Sequence, residues 1–169
     1  PVGCMIVDIG GGTTDIAVMS LGGIVQSKSI KLAGDKMNQD VIDYLRNEYK
    51  ILVGEKTAEE IKVAVGSVQS KSEGLEVTVR GRDLISGLPR EIMISDRDIY
   101  EAIHNSIQVI VDGIREVLET TPPEIVSDVI NRGMFITGGG ALIHGIDVII
   151  SDTFKVAVHI PTEPLSAVA

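Results

Sequence analysis

Residues 4–20 read CMIVDIGGGTTDIAVMS, and the parsing of this stretch decides the fold. Cys4 to Ile9 is an apolar run of strand length that closes on Gly10-Gly11-Gly12, and Thr13 to Met19 has the Val, Ile and Thr content of a second strand. Glycines between two such runs predict a hairpin. A dinucleotide fingerprint would run from its glycines into a helix, and a Walker loop would follow them with Gly-Lys-Ser/Thr; neither occurs.

Three successive glycines at a strand end remove every Cβ, so backbone N–H groups can approach an anion closely. A phosphate can then be held without lysine. Asp8 at the mouth of the turn is compatible with phosphates only if a divalent cation, Mg²⁺ held through water, lies between them. Thr13 and Thr14 add hydroxyls for phosphate oxygens or a water. The same residues also fit an ordinary glycine hairpin in which Asp8 and Asp15 bond turn amides.

Working outward, Gly22-Gly23 marks a second tight turn, and Ile24 to Leu32 alternates as a third strand. Residues 35–49 place Met37, Val41, Ile42, Leu45 and Tyr49 near helical spacing. Thr57 with Glu60 offers a capping box for a second helix that stops at Gly66. Residues 74–95 read as two strands joined by a Gly/Pro-containing loop. Ser95 and Asp98 open the longest helix, with Ile99, Ile103, Ile107, Ile110, Ile114 and Val117 as its buried stripe. Pro122-Pro123 starts a short helix to about Arg132, stopped by Gly133. Met134 to Thr137 is a strand, Ala141 to Thr153 a helix, and Lys155 to Ile160 a closing strand. The pattern predicts a mixed α/β fold with a second unit inserted after the third strand.

A second glycine triplet, Gly138-Gly139-Gly140, joins the strand ending at Thr137 to Ala141-Leu142. A strand running through glycines into a helix N-terminus is an anion or sugar-edge site, although a single such turn is more often an ordinary connection. Two triplets at the strand ends of one domain together suggest a nucleotide between them, because ligands collect at strand ends of α/β sheets. Glu59 and Lys62 lie three apart on one helical face, which alone also describes a solvent ion pair. His104, His144 and His159 show no ligand spacing, and Cys4 reads as a core residue.

Composition narrows the partners. Ile and Val supply 44 of 169 residues, so the chain can bury enough surface to offset its ordering entropy. With 15 Lys+Arg against 24 Asp+Glu, the net charge of −9 opposes nucleic acid, and 3% aromatic content leaves few stacking platforms. No apolar run approaches the roughly 18 residues of a membrane span, and no signal-peptide pattern opens the chain. The lone Cys4 excludes an internal disulfide and fits a reducing, cytoplasmic setting. Pro1 without Met, and an apolar segment starting at Ser166, suggest part of a longer polypeptide.

Those motifs, in that order, resemble the superfamily of actins, sugar kinases and DnaK-type chaperones, and within it the bacterial actin family MreB, the rod-shape-determining proteins. The matching stretches are VDIGGGTTDIAV (7–18), IKLAGDKMNQDVIDYLR (30–46), GEKTAEEIK (54–62), RGRDLISGLPREI (80–92), FITGGGALIHGID (135–147) and EPLSAVA (163–169).

The resemblance implies an actin-like ATPase fold whose two halves clamp ATP or ADP with Mg²⁺. This chain would be the second half, with a ribonuclease-H-like subdomain from 1–32 and 96–169 and a smaller one inserted at 33–95. Gly10, Gly11, Gly12 and Thr13 would form the second phosphate loop. Asp8 would organise the Mg²⁺ waters and Thr14 would help place the attacking water. Glu59 and Lys62 would line the nucleoside side, with Gly34 near the base, and Gly138, Gly139, Gly140, Ala141 and Leu142 would form the adenosine turn. The first phosphate loop and the water-polarising carboxylate belong to the family's first half, so this polypeptide alone would bind ATP weakly and hydrolyse it negligibly. The resemblance further implies a homopolymeric filament organising cell-wall synthesis, association with the membrane, and the partners RodZ, MreC and MreD. An FtsA-like or DnaK-type ATPase half is the alternative.

Overall fold

The computed structural model describes residues 3–66 and 74–161. The EPLSAVA stretch and the apolar segment at the C-terminal end lie outside them. β1 (Cys4–Ile9), β2 (Thr14–Ser20) and β3 (Gly23–Ile30) form the expected antiparallel meander. β7 (Met134–Thr137) adds parallel to β1, and the two-residue β8 (Val158–His159) adds parallel to β7, giving the order β3-β2-β1-β7-β8.

Alternation along β1 sends Met5, Val7 and Ile9 wholly into the core. Facing them is α3 (Asp96–Glu119), whose isoleucines at 99, 103, 107, 110 and 114 are all buried. The other face of β1 packs on α4 (Pro123–Arg132), where Asp128 accepts from the Gly3 amide at 3.1 Å. Cys4 is on this face and half-buried, so it is not the core residue expected.

Between β3 and α3 the chain builds a second layer. It comprises α1 (Gly34–Tyr49), the short β4 (Ile51–Leu52), α2 (Glu55–Val65), β5 (Glu76–Asp83) and β6 (Pro89–Ser95). β4, β5 and β6 form an antiparallel sheet, and α1 packs on both α2 and α3. α1 buries Met37, Val41 and Leu45 completely, each worth about 1.5–3 kcal/mol. Asp98 fastens this layer to α3. One carboxylate oxygen accepts from the hydroxyls of Tyr44 and Tyr49, both at 2.9 Å. The other accepts from Ser95 N–H at 2.9 Å and closes the capping box expected at Ser95.

Three local expectations are corrected. α2 starts at Glu55 with Gly54 as its N-cap, so Thr57 lies inside the helix and forms no capping box. Glu55 and Lys56 are good helix formers, and the turn winds as soon as Gly54 leaves extended geometry. No long helix begins at Ala141: Gly139–Leu142 make one 3₁₀ turn, Ile143 is extended, and α5 (Ile146–Phe154) starts only after Gly145 in the left-handed conformation. The closing strand is confined to Val158 and His159, because Lys155 adopts a left-handed C-cap for α5 first.

Candidate functional site

A cleft of about 670 Å³ opens where three walls meet. Asp8, Gly10 and Gly11 from the β1–β2 turn make the first. The second is the α1–α2 layer, with Gly34, Asp35, Asn38, Glu55, Lys56, Glu59 and Lys62, and Gly138, Gly139 and Gly140 beyond β7 form the third.

The first wall is shaped by its own hydrogen bonds. Gly10 N–H closes the turn on Thr13 C=O at 3.0 Å. The carbonyls of Gly10 and Gly11 accept from Gly34 N–H (3.0 Å) and Asp35 N–H (2.8 Å), the first free donors of α1, whose N-cap residue Ala33 offers no side-chain acceptor. In a planar trans peptide the C=O and the next N–H point opposite ways. Committing these two carbonyls to α1 therefore turns the N–H groups of Gly11 and Gly12 away from it. Among the described residues, neither N–H donates to a protein acceptor. A Cβ on Gly12 would meet nothing within 4 Å, so the turn is open on that side.

Asp8 and Asp15 are direct cross-strand partners. Burial, reinforced by the Asp15 charge, holds the Asp8 carboxyl above the usual carboxylate range. Thr13 donates its hydroxyl to Asp15 at 3.1 Å. Thr14 is buried and donates to Leu32 C=O at 2.7 Å, so its side chain is committed to the fold and does not line the cleft. Among the described residues, no three His, Cys, Asp or Glu side chains are grouped to hold a metal ion.

On the second wall the ammonium of Lys62, only 4% exposed, donates to Glu59 at 2.7 Å and to Gly34 C=O at 3.3 Å. For Glu59, burial pushes the carboxyl up, but hydrogen bonds from Lys62 and Asn38 and the Lys62 charge outweigh it, leaving the group below its usual range. On the third wall Gly138 has φ +82° and ψ 176°, a region essentially restricted to glycine. A Cβ there would lie 2.5 Å from Asp8 Oδ1 and Ile9 C=O. The second triplet thus seats against the end of β1 through lack of side chains. Its closeness to Asp8 brings both triplets to one place.

Of the residues singled out in the sequence, Asp8, Gly10, Gly11, Gly34, Glu59, Lys62 and Gly138–Gly140 line the cleft together. Gly12 and Thr13 belong to the same turn, whereas Thr14, buried Ala141 and half-exposed Leu142 are not among the lining residues. Asp35, Asn38, Glu55 and Lys56 were missed. Helical spacing carried the signal, since Asn38 is one turn from Gly34 and Glu55 one turn from Glu59.

The family model for MreB/Mbl protein matches residues 1–169. The chain belongs to the MreB/Mbl family. It is 50% identical over 169 residues to the cell shape-determining protein Mbl of Bacillus subtilis (strain 168), covering 100% of this chain and 51% of that one. With the cell shape-determining protein MreB of Escherichia coli (strain K12) it shares 42% over 167 residues, 99% of this chain and 48% of the relative. This MreB/Mbl chain therefore spans about half the length of the curated relatives it matches.

Among solved structures, MreB5 of Spiroplasma citri bound to AMPPNP superposes with a TM-score of 0.93 at 43% identity, covering 98% of this chain and 50% of that one. The MamK double helical filament superposes at 0.82 with 20% identity over 96% and 50%, a likeness of fold alone. The expected actin-like fold is thereby established, and an FtsA-like or DnaK-type assignment is not favoured. No helix among the described residues is long and apolar enough to cross a membrane.

Proposed function

We propose that this chain supplies one side of an ATP/ADP site in a cytoskeletal, cell-shape-determining actin homologue. The observation that carries the reading is the convergence of both glycine triplets and the Glu59–Lys62 pair on one cleft of about 670 Å³, within the size range of nucleotide pockets. The similar MreB5 chain, solved with AMPPNP and with ADP, supports it.

In this reading the outward N–H groups of Gly11 and Gly12, with Gly10 and Thr13, hold terminal phosphate oxygens. Lys62 and Glu59 face the nucleoside with Gly34, and Gly138–Leu142 cover the adenosine. Mg²⁺, when bound, would neutralise phosphate charge. Asp8 suits it as a carboxylate beside the turn, acting through water because, among the described residues, no three His, Cys, Asp or Glu side chains are grouped there to hold the ion. Thr14 positions the attacking water indirectly, by fixing the start of β2 through Leu32. Hydrolysis needs groups on both sides of the phosphates, so the chain alone binds nucleotide weakly and the intact protein carries the activity.

The proposal extends to subdomains 1–32 with 96–169 and 33–95, to self-assembly into filaments, to a cytoplasmic location with the filaments on the membrane, and to RodZ, MreC and MreD as partners. Calorimetry of the intact protein with Mg-ATP, alongside light scattering for polymer, tests the core of it. Saturable binding followed by nucleotide-dependent scattering is expected. Absence of binding at millimolar ATP would overturn the reading.

A further inference from the structure

The small sheet of the inserted layer has one edge left half covered. β4 pairs with β5 only at Arg82 and Asp83, because the chain then winds into α2 at Glu55. On that side of β5, residues 76–80 have no neighbouring strand among the described residues. A groove of about 310 Å³ runs there, between residues 77–80 and a face of α2 carrying Glu60 and the small side chains of Thr57 and Ala64.

Hydrogen-bond parity fixes which groups face the groove. In a strand each residue points its N–H and C=O to one side, and the next residue points them to the other. Asp83 N–H donates to Leu88 C=O at 2.8 Å on the β6 side, and Leu84 N–H donates to Lys50 C=O at 2.9 Å on the β4 side. The β5–β6 register runs from Glu76 to Arg82 without a bulge. Counting back from Leu84 in twos, the main chains of Arg80, Thr78 and Glu76 face the open edge. All three residues are exposed, and their side chains share the outer face. Among the described residues neither Glu76 nor Arg80 has an ion-pair partner, although Glu91 stands opposite Arg80 on β6.

The stretch Glu76-Val77-Thr78-Val79-Arg80 is complementary to itself. Laid antiparallel on a second copy with Thr78 facing Thr78, each Glu76 meets an Arg80 and each Val77 a Val79. The same register opposes outward main-chain groups at all three exposed positions, giving three pairs that exchange two hydrogen bonds each. A slip of one residue would set outward groups against inward ones. A slip of two would set Glu76 against Thr78, or call on Arg82, already paired with Leu52.

We propose that this edge is an interaction surface whose occupant is a second copy of the chain, joined by antiparallel pairing of β5 about a twofold axis at Thr78. The surface lies outside the nucleotide cleft and does not depend on it. Five residues a side make a weak contact alone, strengthened where copies are already held together elsewhere.

The test places one cysteine on the axis of the intact protein, without nucleotide. Thr78→Cys puts the two Cα atoms about 5.5 Å apart, within disulfide range. Oxidation with copper-phenanthroline should then give a covalent dimer faster than Ser27→Cys, an exposed position on β3 that reports random collision. Adding Arg80→Glu to Thr78→Cys opposes like charges at both ends and should slow the dimer roughly five- to thirtyfold. Adding Glu76→Arg as well exchanges the two charges and should restore the rate. Thr78→Cys no faster than Ser27→Cys, a rate indifferent to Arg80→Glu, or no rescue by the exchange overturns the proposal.

Discussion

Replacing Gly138 by alanine tests whether the second triplet is a matter of close packing or only of a flexible turn. The backbone there, φ +82° and ψ 176°, costs a residue with a Cβ about 1–3 kcal/mol. The new methyl would also sit 2.5 Å from Asp8 Oδ1 and from the Ile9 carbonyl. Asp8 Oδ1 ends a side chain that can swing aside, but the Ile9 carbonyl is backbone, so relief still requires backbone movement, an overpacking cost of about 1–3 kcal/mol. Loss of glycine's unfolded-state entropy returns about 0.4–1 kcal/mol. The net is a destabilisation of about 1.5–5 kcal/mol. Urea unfolding followed by far-ultraviolet circular dichroism should show the midpoint falling by roughly 0.75–2.5 M with the slope unchanged, for a slope near 2 kcal/mol/M. Gly12→Ala is the control: with nothing within 4 Å, it should stay within about 0.5 kcal/mol of wild type while weakening nucleotide binding. A Gly138→Ala protein as stable as the Gly12→Ala one would refute the packing account.

Three further outcomes are expected. Asp8→Asn should raise the urea midpoint at neutral pH, because a carboxyl whose folded pKa is raised contributes stability that is lost as pH climbs through that pKa; Mg-dependent ATP affinity should fall in the same variant. Glu59→Gln should cost more stability than Lys62→Met, about 1–3 against under 1.5 kcal/mol, since the first strands a buried ammonium while the second leaves a half-exposed carboxylate to water; denaturant midpoints decide it. In an ultraviolet pH titration, the Tyr49 phenol, pushed up to about 12 by burial and by its hydrogen bond to Asp98, should stay protonated at pH 11, as should Tyr44, shifted upward for the same reasons. Stability should decline as pH rises above about 10, where the unfolded phenols ionise and the folded ones do not.

What was legible in the sequence follows from periodicity. The apolar run Cys4–Ile9 and the Ile99–Val117 stripe both mark residues that the core buries, and both elements are found where the sequence put them. Ser95 with Asp98 formed its capping box because both halves of that signal are local. Thr57 with Glu60 carried the same signal and failed, because Gly54 ended the preceding extended segment three residues earlier. The helix expected at Ala141 was delayed because Gly138 and Gly140 must lie against Ile9, a contact that no local pattern records. At the site, glycine triplets were visible as composition. Asn38 and Thr14 were not interpretable in that way, since one is defined by an unpaired atom and the other by a bond to Leu32, eighteen residues on.

The two hydrogen bonds from α1 to the Gly10 and Gly11 carbonyls tie ligand geometry to the helix. Each of these peptide units is a rigid plate with a donor edge toward the ligand side and an acceptor edge toward the helix. Re-aiming the donor edge by some angle swings the acceptor edge by the same angle, so the turn cannot track a changed phosphate position while leaving the start of α1 undisturbed. α1 in turn packs on α3 and is bolted to it by Tyr44, Tyr49 and Asp98. A displacement entering at two glycines is therefore delivered to a helix spanning Asp96 to Glu119, making the smallest residues in the cleft the short arm of a long lever.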